Sequence, residues 1–116
     1  MYRVVFIDDE FLILEGMKKI IDWDKLGFEV AGCATSANEG IDLINRENPH
    51  LIITDIRMRG TSGLEMIEMI KNSGYNGYII ILSGYRDFEY AKKAIENGVF
   101  RYLVKPLNVE IGRAHV

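Results

Sequence analysis

The sequence is short of cysteine and of long apolar stretches. Cys33 is the only cysteine, so the chain can form neither an internal disulfide nor a cysteine metal site. No apolar stretch approaches the roughly 20 residues that a bilayer-spanning helix requires. The N-terminus also lacks the charged and apolar regions that mark a signal peptide. These absences predict a cytoplasmic protein with no membrane partner.

Positive charge is also sparse. Lysine and arginine never run longer than the pairs Lys18-Lys19 and Lys92-Lys93, and the formal net charge is −3. Segments that grip nucleic acid carry basic patches, so this segment is not predicted to bind nucleic acid itself. With 116 residues, of which 48% are hydrophobic and 27% charged, the chain has the size and composition of one globular domain with one core.

Short apolar runs alternate along the chain with helical patterns. The predicted strands are almost wholly apolar, and they are Arg3–Ile7, Phe28–Cys33, HLIITD, GYIIILS and FRYLVKP. The predicted helices begin at capping residues or end at glycine or before proline, and they cover Phe11–Asp22, the segment from Ser36 to Pro49, the segment from Ser62 to Gly74, and the segment from Asp87 to Gly98.

This alternation predicts an α/β fold. Continuous apolar strands are typical of a parallel sheet that is buried on both faces by helices. The predicted architecture is therefore a doubly wound (βα)5 three-layer sandwich. Right-handed crossovers leave two strand orders open, the flavodoxin-like order 2-1-3-4-5 and a Rossmann order. Both orders create a ligand-binding crevice at the carboxyl ends of the strands.

Polar residues follow the predicted strands at that edge. Asp8 and Asp9 follow the first strand, Asp55 the third, Ser83 the fourth and Lys105 the fifth. Three neighbouring carboxylates repel one another unless a cation, protonation or a lysine offsets their charge. Carboxylate oxygens suit Mg²⁺, which also binds phosphate oxygens. The set therefore predicts a cradle for moving a phosphoryl group onto Asp55.

Each of these residues also has a simpler explanation. Asp9 or Glu10 could cap the helix that starts at Phe11, Asp55 could form an Asx turn, and Ser83 could be a loop hydroxyl. Lys105 could be solvated. Five suitable residues at the ends of four strands favour the functional interpretation.

Two other functions fit the residues less well. A flavodoxin-like cofactor binder needs a phosphate loop rich in small residues after the first strand, and the acids there would repel a phosphate. An aspartyl phosphatase uses acids in D-x-D spacing, whereas Asp8 and Asp9 are adjacent. The chain is therefore not predicted to be an enzyme, beyond weak self-phosphorylation and self-dephosphorylation at Asp55.

The motifs FIDDE, LIITDIRM, GLEMI, IILSGYRDFEYAKKAIENG and YLVKPL occur in this order. Over roughly residues 1–110 the sequence resembles the CheY-like receiver domain of two-component response regulators. The resemblance implies the flavodoxin-like sheet order, Mg²⁺ as cofactor and a sensor histidine kinase as partner. It also implies a role for several positions of the motifs. Asp55 would be the phosphoacceptor, and it would bind the metal together with Asp8, Asp9 and the backbone carbonyl of Arg57. Ser83 and Lys105 would contact the phosphoryl group, and Ser83 and Tyr102 would form the switch pair.

The resemblance extends to one subgroup. The segments IDWDKLGFEVAGCATSANEG and LSGYRDFEYAKKAI are similar to receivers fused to AraC-type DNA-binding domains. This implies transcription regulation, with DNA bound only by a C-terminal domain that is not in this chain. A stand-alone receiver that acts by protein contact stays open as the alternative, and Tyr90, Lys93 and Arg101 are candidates for the face that a partner recognises.

Two positions depart from the family pattern near the acids. Arg59 stands where DIRMPG has proline, which adds a charge beside the site, and we expect an altered lifetime of the phosphoryl group. Glu10 follows the two aspartates, and we expect it to cap the helix rather than to bind the metal.

The end of the sequence departs as well. Relatives continue after KPLNVE with a long amphipathic fifth helix, whereas this chain continues with IGRAHV. We therefore predict a receiver domain over residues 1–109 that lacks its last helix, and a non-family tail over 110–116. Codons that encode EIGRAHV can be chosen to match a common sequencing adapter. We therefore interpret this tail as a sequencing artefact. Apolar surface left by a missing helix would favour a homodimer.

Overall fold

The computed structural model describes residues 1–84, 89, 92–93, 96, 98 and 101–104, with Ser83, Tyr102 and Val104 described by backbone alone. Within these residues, five parallel strands form one sheet in the order β2-β1-β3-β4-β5. The strands are β1 (Tyr2–Ile7), β2 (Phe28–Ala34), β3 (Leu51–Thr54), β4 (Tyr78–Ser83) and β5 (Arg101–Val104). The flavodoxin-like order is thereby confirmed, and the Rossmann order is excluded.

Helices cover both faces of the sheet. Those with described bounds are α1 (Phe11–Ile20), α2 (Ala37–Glu47) and α3 (Gly63–Asn72). In the predicted fourth helix, the described residues 89, 92, 93 and 96 are helical. None of the helices in the described part of the chain combines the length and the apolar character that crossing a bilayer requires.

Strand β1 shows why the sheet is buried on both sides. Its residues alternate between two core clusters, and its last four residues, 4–7, are fully buried. Val4 and Phe6 pack with α1, whereas Val5 and Ile7 pack with α2 and α3. Successive side chains of a strand point to opposite faces, so an uninterrupted apolar strand must have helices on both sides. This confirms the predicted three-layer sandwich.

Helix α1 is shorter than the sequence pattern predicts, because it ends at Ile20 rather than Asp22. The Nε1–H group of Trp23 donates a hydrogen bond of 2.9 Å to the carbonyl oxygen of Met17. In a continuing helix the amide of Ile21 would bond to that oxygen. Instead Ile21 is extended, and Trp23 folds back into the core beside Phe6.

The predicted serine caps of the next two helices are confirmed, but the second contact of a capping box differs: the carboxylate of Glu39 accepts from the amide of Thr35 rather than from that of Ser36. Ser36 accepts a hydrogen bond from the amide of Glu39 at the start of α2. Ser62 accepts one from the amide of Glu65 at the start of α3. Short hydroxyl side chains in this position satisfy amides that have no partner within the helix. The second cap matters for the site, because α3 follows directly on the loop after β3.

Strand register sets up the edge where the acids lie. In the pairing of β1 with β3, Ile7 lies opposite Thr54. The amide of Asp55 continues the ladder by donating 2.9 Å to the carbonyl oxygen of Ile7. Both strands therefore end level, and the next residues, Asp8 and Asp55, start their loops side by side. The predictions for Lys105, for a missing fifth helix and for the tail over 110–116 lie outside the described residues.

Candidate functional site

The three predicted carboxylates come together at the carboxyl edge of the sheet. Asp8, Asp9 and Asp55 each offer one oxygen atom, and these atoms all lie within 4.8 Å of one another. Asp8 is 1% exposed and Asp55 is 7% exposed. Three carboxylates held this close repel one another, and a bound cation would offset that repulsion. Three hard oxygen donors are a set that fits a divalent cation such as Mg²⁺.

Backbone amides orient Asp8. Its Oδ1 atom accepts a hydrogen bond of 2.9 Å from the amide of Glu10, and its own amide donates 3.1 Å to the carbonyl oxygen of Ala34. The second bond joins the loop after β1 to the end of β2. The buried carboxylate is therefore held by the same turn that leads into α1.

The prediction for Glu10 is wrong in one respect. Glu10 occupies the residue before α1, but its side chain makes no capping hydrogen bond. Effective capping side chains are short, and the longer glutamate instead lies exposed to solvent. Among the described residues, the group of acids that could hold a metal contains Asp8, Asp9 and Asp55 without Glu10.

Asp55 is held by its neighbours in sequence. The amide of Ile56 donates 2.8 Å to its Oδ1 atom. The hydroxyl of Thr54, which is fully buried, donates 3.0 Å to the carbonyl oxygen of Asp55. Both contacts restrict the loop after β3. Thr54 was not among the predicted site residues, because a threonine at the end of a strand carries no signal of its own.

Gly63 is a second residue that the sequence pattern did not identify. Its amide donates 2.6 Å to the carbonyl oxygen of Ile56, which brings the start of α3 against the loop after β3. A Cβ atom at this position would overlap the carbonyl oxygen of Asp55 and lie 3.0 Å from the Cα atom of Ile56. The available signal was the glycine that begins the GLEMI motif directly after the capping Ser62.

Arg59 contacts Asp9 across the site. Its amide donates 3.3 Å to the Oδ2 atom of Asp9, and its Nε atom lies 3.8 Å from the same oxygen. The Arg59 side chain is 92% exposed, whereas that of Asp9 is 21% exposed. The loop after β3 is therefore tied to the loop after β1 by an ion pair at the rim of the acidic cluster.

The remaining predicted positions are described in part or not at all. Ser83 is the last residue of β4 and pairs with Val104, and Tyr102 pairs with Ile81, but the side chains of Ser83 and Tyr102 lie outside the description. Lys105 and Tyr90 lie outside the described residues altogether. Arg57 lies in the loop after Asp55, and the proposed partner-face residues Lys93 and Arg101 are exposed.

Comparison with known proteins agrees with this geometry. Residues 4–116 match the family of the response regulator receiver domain. The uncharacterized transcriptional regulatory protein YesN of Bacillus subtilis is 43% identical over 108 residues, which are 93% of this chain and 29% of that protein. The transcriptional regulatory protein HptR of Staphylococcus aureus is 42% identical over 108 residues, covering 93% of this chain and 42% of that protein.

A solved structure shows the same architecture. The receiver domain of AraT, a response regulator from Geobacillus stearothermophilus, superimposes with a TM-score of 0.90 at 31% identity, covering 98% of this chain and 88% of that one. The chain spans less than half the length of the curated relatives that it matches. On its sequence, its sheet order and its acidic edge, the chain belongs to the response regulator receiver domain family.

Proposed function

We propose that Asp55 accepts a phosphoryl group from a sensor histidine kinase in a Mg²⁺-dependent reaction, and that this switches a transcriptional output. The observation that supports the proposal most directly is the cluster of three carboxylates, two of them buried, at the ends of β1 and β3. Burying like charges costs free energy. A bound cation would offset that cost, and it would also serve the transfer of a phosphoryl group.

In the proposed site, Asp8, Asp9 and Asp55 would hold Mg²⁺ together with the backbone carbonyl of Arg57. The ion would supply positive charge that offsets the charge of the transferred group. The protein supplies the rigid frame, because Asp8 is oriented by the Glu10 amide and the Asp55 loop is tied down by Thr54 and Gly63.

Asp55 is the proposed nucleophile. The amide of Ile56 donates to its Oδ1 atom, so we assign the attack to Oδ2. A new bond forms between Oδ2 and phosphorus as the bond from phosphorus to the histidine nitrogen of the kinase breaks. The product is an acyl phosphate on the rim of the sheet.

The proposed switch involves the last two strands. The phosphoryl oxygens would attract the hydroxyl of Ser83 and the ammonium group of Lys105, and Tyr102 would follow into the space that Ser83 leaves. The neighbouring positions of Ser83 and Tyr102 on paired strands support this coupling. The charge of the phosphoryl group and its contacts with Ser83 and Lys105 would shift the equilibrium between two conformations of the face formed by the fourth helix and β5.

The output of the switch belongs to the whole protein. The relatives YesN and HptR are named as transcriptional regulatory proteins and extend well beyond the matched segment, which favours transcription control over a stand-alone receiver. We therefore propose a cytoplasmic regulator that binds DNA through an AraC-type domain outside this chain. We also propose that turnover by the receiver itself is limited to weak self-phosphorylation and self-dephosphorylation.

A labelling experiment tests the proposal. The protein is incubated with Mg²⁺ and acetyl phosphate, and the intact mass is measured before and after treatment with acid and with base. We expect a single phosphoryl adduct that survives acid, is lost in base and does not form when a chelator removes Mg²⁺. An unlabelled protein, or an adduct that forms equally well in chelator, would contradict the proposal.

The two neighbouring acids after β1 should differ in their effect on the metal. We expect Asp9→Ala to weaken Mg²⁺ binding, measured by isothermal titration calorimetry, by about tenfold or more, because it removes one of the three carboxylates proposed to hold the ion. Glu10→Ala should change the dissociation constant little, because Glu10 lies outside the acidic cluster. Equal losses in the two variants would place Glu10 in the site.

A further inference from the structure

The contact between Arg59 and Asp9 bears directly on the proposed metal site. Both the amide and the Nε atom of Arg59 approach the same oxygen, Oδ2 of Asp9, at 3.3 Å and 3.8 Å. The two residues are 50 positions apart, so only the fold brings them together. A proline at position 59, as in the DIRMPG pattern, has neither an amide hydrogen nor a charge and could make neither contact.

The charge of Arg59 opposes a metal ion at this site. A guanidinium group is always protonated and cannot be titrated away. Mg²⁺ bound near Asp9 would meet this fixed positive charge and would compete with it for the Asp9 carboxylate. The sign of the effect is the same whichever oxygen of Asp9 the ion uses, because like charges repel.

The exposure of Arg59 limits the size of the effect. Its side chain is 92% exposed, and solvent and salt screen exposed charge pairs strongly. Pairs of this kind change an equilibrium by about two- to fivefold. That range is enough to set the Mg²⁺ concentration at which a site is half filled, without preventing the site from filling.

We propose that the positive charge of Arg59, held beside Asp9, competes with Mg²⁺ and lowers the Mg²⁺ affinity of the acidic cluster. This inference rests on the proposed function, because it concerns the metal that serves phosphoryl transfer to Asp55. Arg59 does not touch the reacting atoms, and its charge acts on the site through Asp9. Its consequence is a receiver whose phosphorylation requires a higher Mg²⁺ concentration than the same site without the arginine.

Calorimetric titration with MgCl₂ at low ionic strength tests the inference. We expect Arg59→Gln, which keeps the amide and removes the charge, to bind Mg²⁺ about two- to fivefold more tightly than the wild type. Arg59→Lys keeps the charge and should bind as the wild type does. The gain of Arg59→Gln should vanish in about 1 M salt, where the screening length falls to about 3 Å.

Arg46→Gln is the matched control. Arg46 is also exposed and also in an ion pair, with Glu47 at 3.6 Å, but it lies in the last turn of α2. In a right-handed βα unit that end of the helix lies at the opposite edge of the sheet from the acids. The control should leave the Mg²⁺ dissociation constant unchanged. Equal tightening in both glutamine variants would overturn a local role for Arg59.

The outcomes separate this inference from the proposed function. If the wild type binds Mg²⁺ and is labelled on Asp55, but Arg59→Gln binds Mg²⁺ with unchanged affinity, the inference alone is wrong. Weaker binding by Arg59→Gln would also overturn it, since Arg59 would then orient Asp9 for the metal. A wild type that neither binds Mg²⁺ nor accepts a phosphoryl group would refute both.

Discussion

Asp55→Asn should abolish the phosphoryl adduct. The amide of asparagine is not a nucleophile at neutral pH, so no acyl phosphate can form at this position. The substitution keeps the size of the side chain, and its amide oxygen can still accept the hydrogen bond from the Ile56 amide, which spans 2.8 Å in the wild type. The variant should therefore fold. Intact-mass measurement with acetyl phosphate and Mg²⁺ should show no label.

Asp42→Asn provides the control for this result. Asp42 lies exposed on α2, away from the acidic cluster, and the change in charge and chemistry is identical. We expect labelling of this variant at the wild-type rate. A label on Asp55→Asn as strong as that on the wild type would mean that the phosphoacceptor has been assigned to the wrong residue.

Gly63→Ala should lower the stability of the protein. The added Cβ atom would overlap the backbone carbonyl oxygen of Asp55 and press on the Cα atom of Ile56. Backbone atoms cannot move aside as the end of a flexible side chain can. We expect the free energy of unfolding, measured by urea denaturation, to fall by about 1–3 kcal/mol or more. Labelling of Asp55 should also slow, because the loop that carries it must shift.

Gly16→Ala is the matched control, with an effect of opposite sign. Gly16 lies within α1, and a Cβ atom there would meet nothing within 4 Å. Alanine in a helix interior is favoured over glycine by about 0.5–1 kcal/mol, so this variant should be slightly more stable. A Gly63→Ala variant as stable as the wild type would show that the loop after β3 yields easily, and that Gly63 does not constrain Asp55.

The three acids of the site differ in how deeply they are buried. Asp8 and Asp55 are almost completely buried and are oriented by backbone amides, whereas Asp9 faces the rim and pairs with Arg59. The two buried acids form the floor of the cluster. The ion pair of Asp9 and Arg59 lies at the rim of the cluster, so dissolved salt screens it more than it screens the two buried acids.

The local sequence determined most of the elements and most of the acids. Short apolar runs between turn residues predicted the strands, and the serine caps with glutamate three residues later identified the starts of α2 and α3. Asp8, Asp9 and Asp55 were identified because each follows a strand directly. Interactions between near neighbours in sequence decide all of these features, and they can therefore be seen in the sequence itself.

Only the tertiary structure decided which distant groups meet. Residues alone left two strand orders open until β1 was seen between β2 and β3. The α1 helix ends at Ile20, and Trp23 then folds back to donate to the Met17 carbonyl oxygen. Gly63 is constrained by Asp55, and Arg59 by an aspartate 50 residues earlier. Such contacts arise from the packing of separate segments, so no local pattern of propensity, capping or periodicity encodes them.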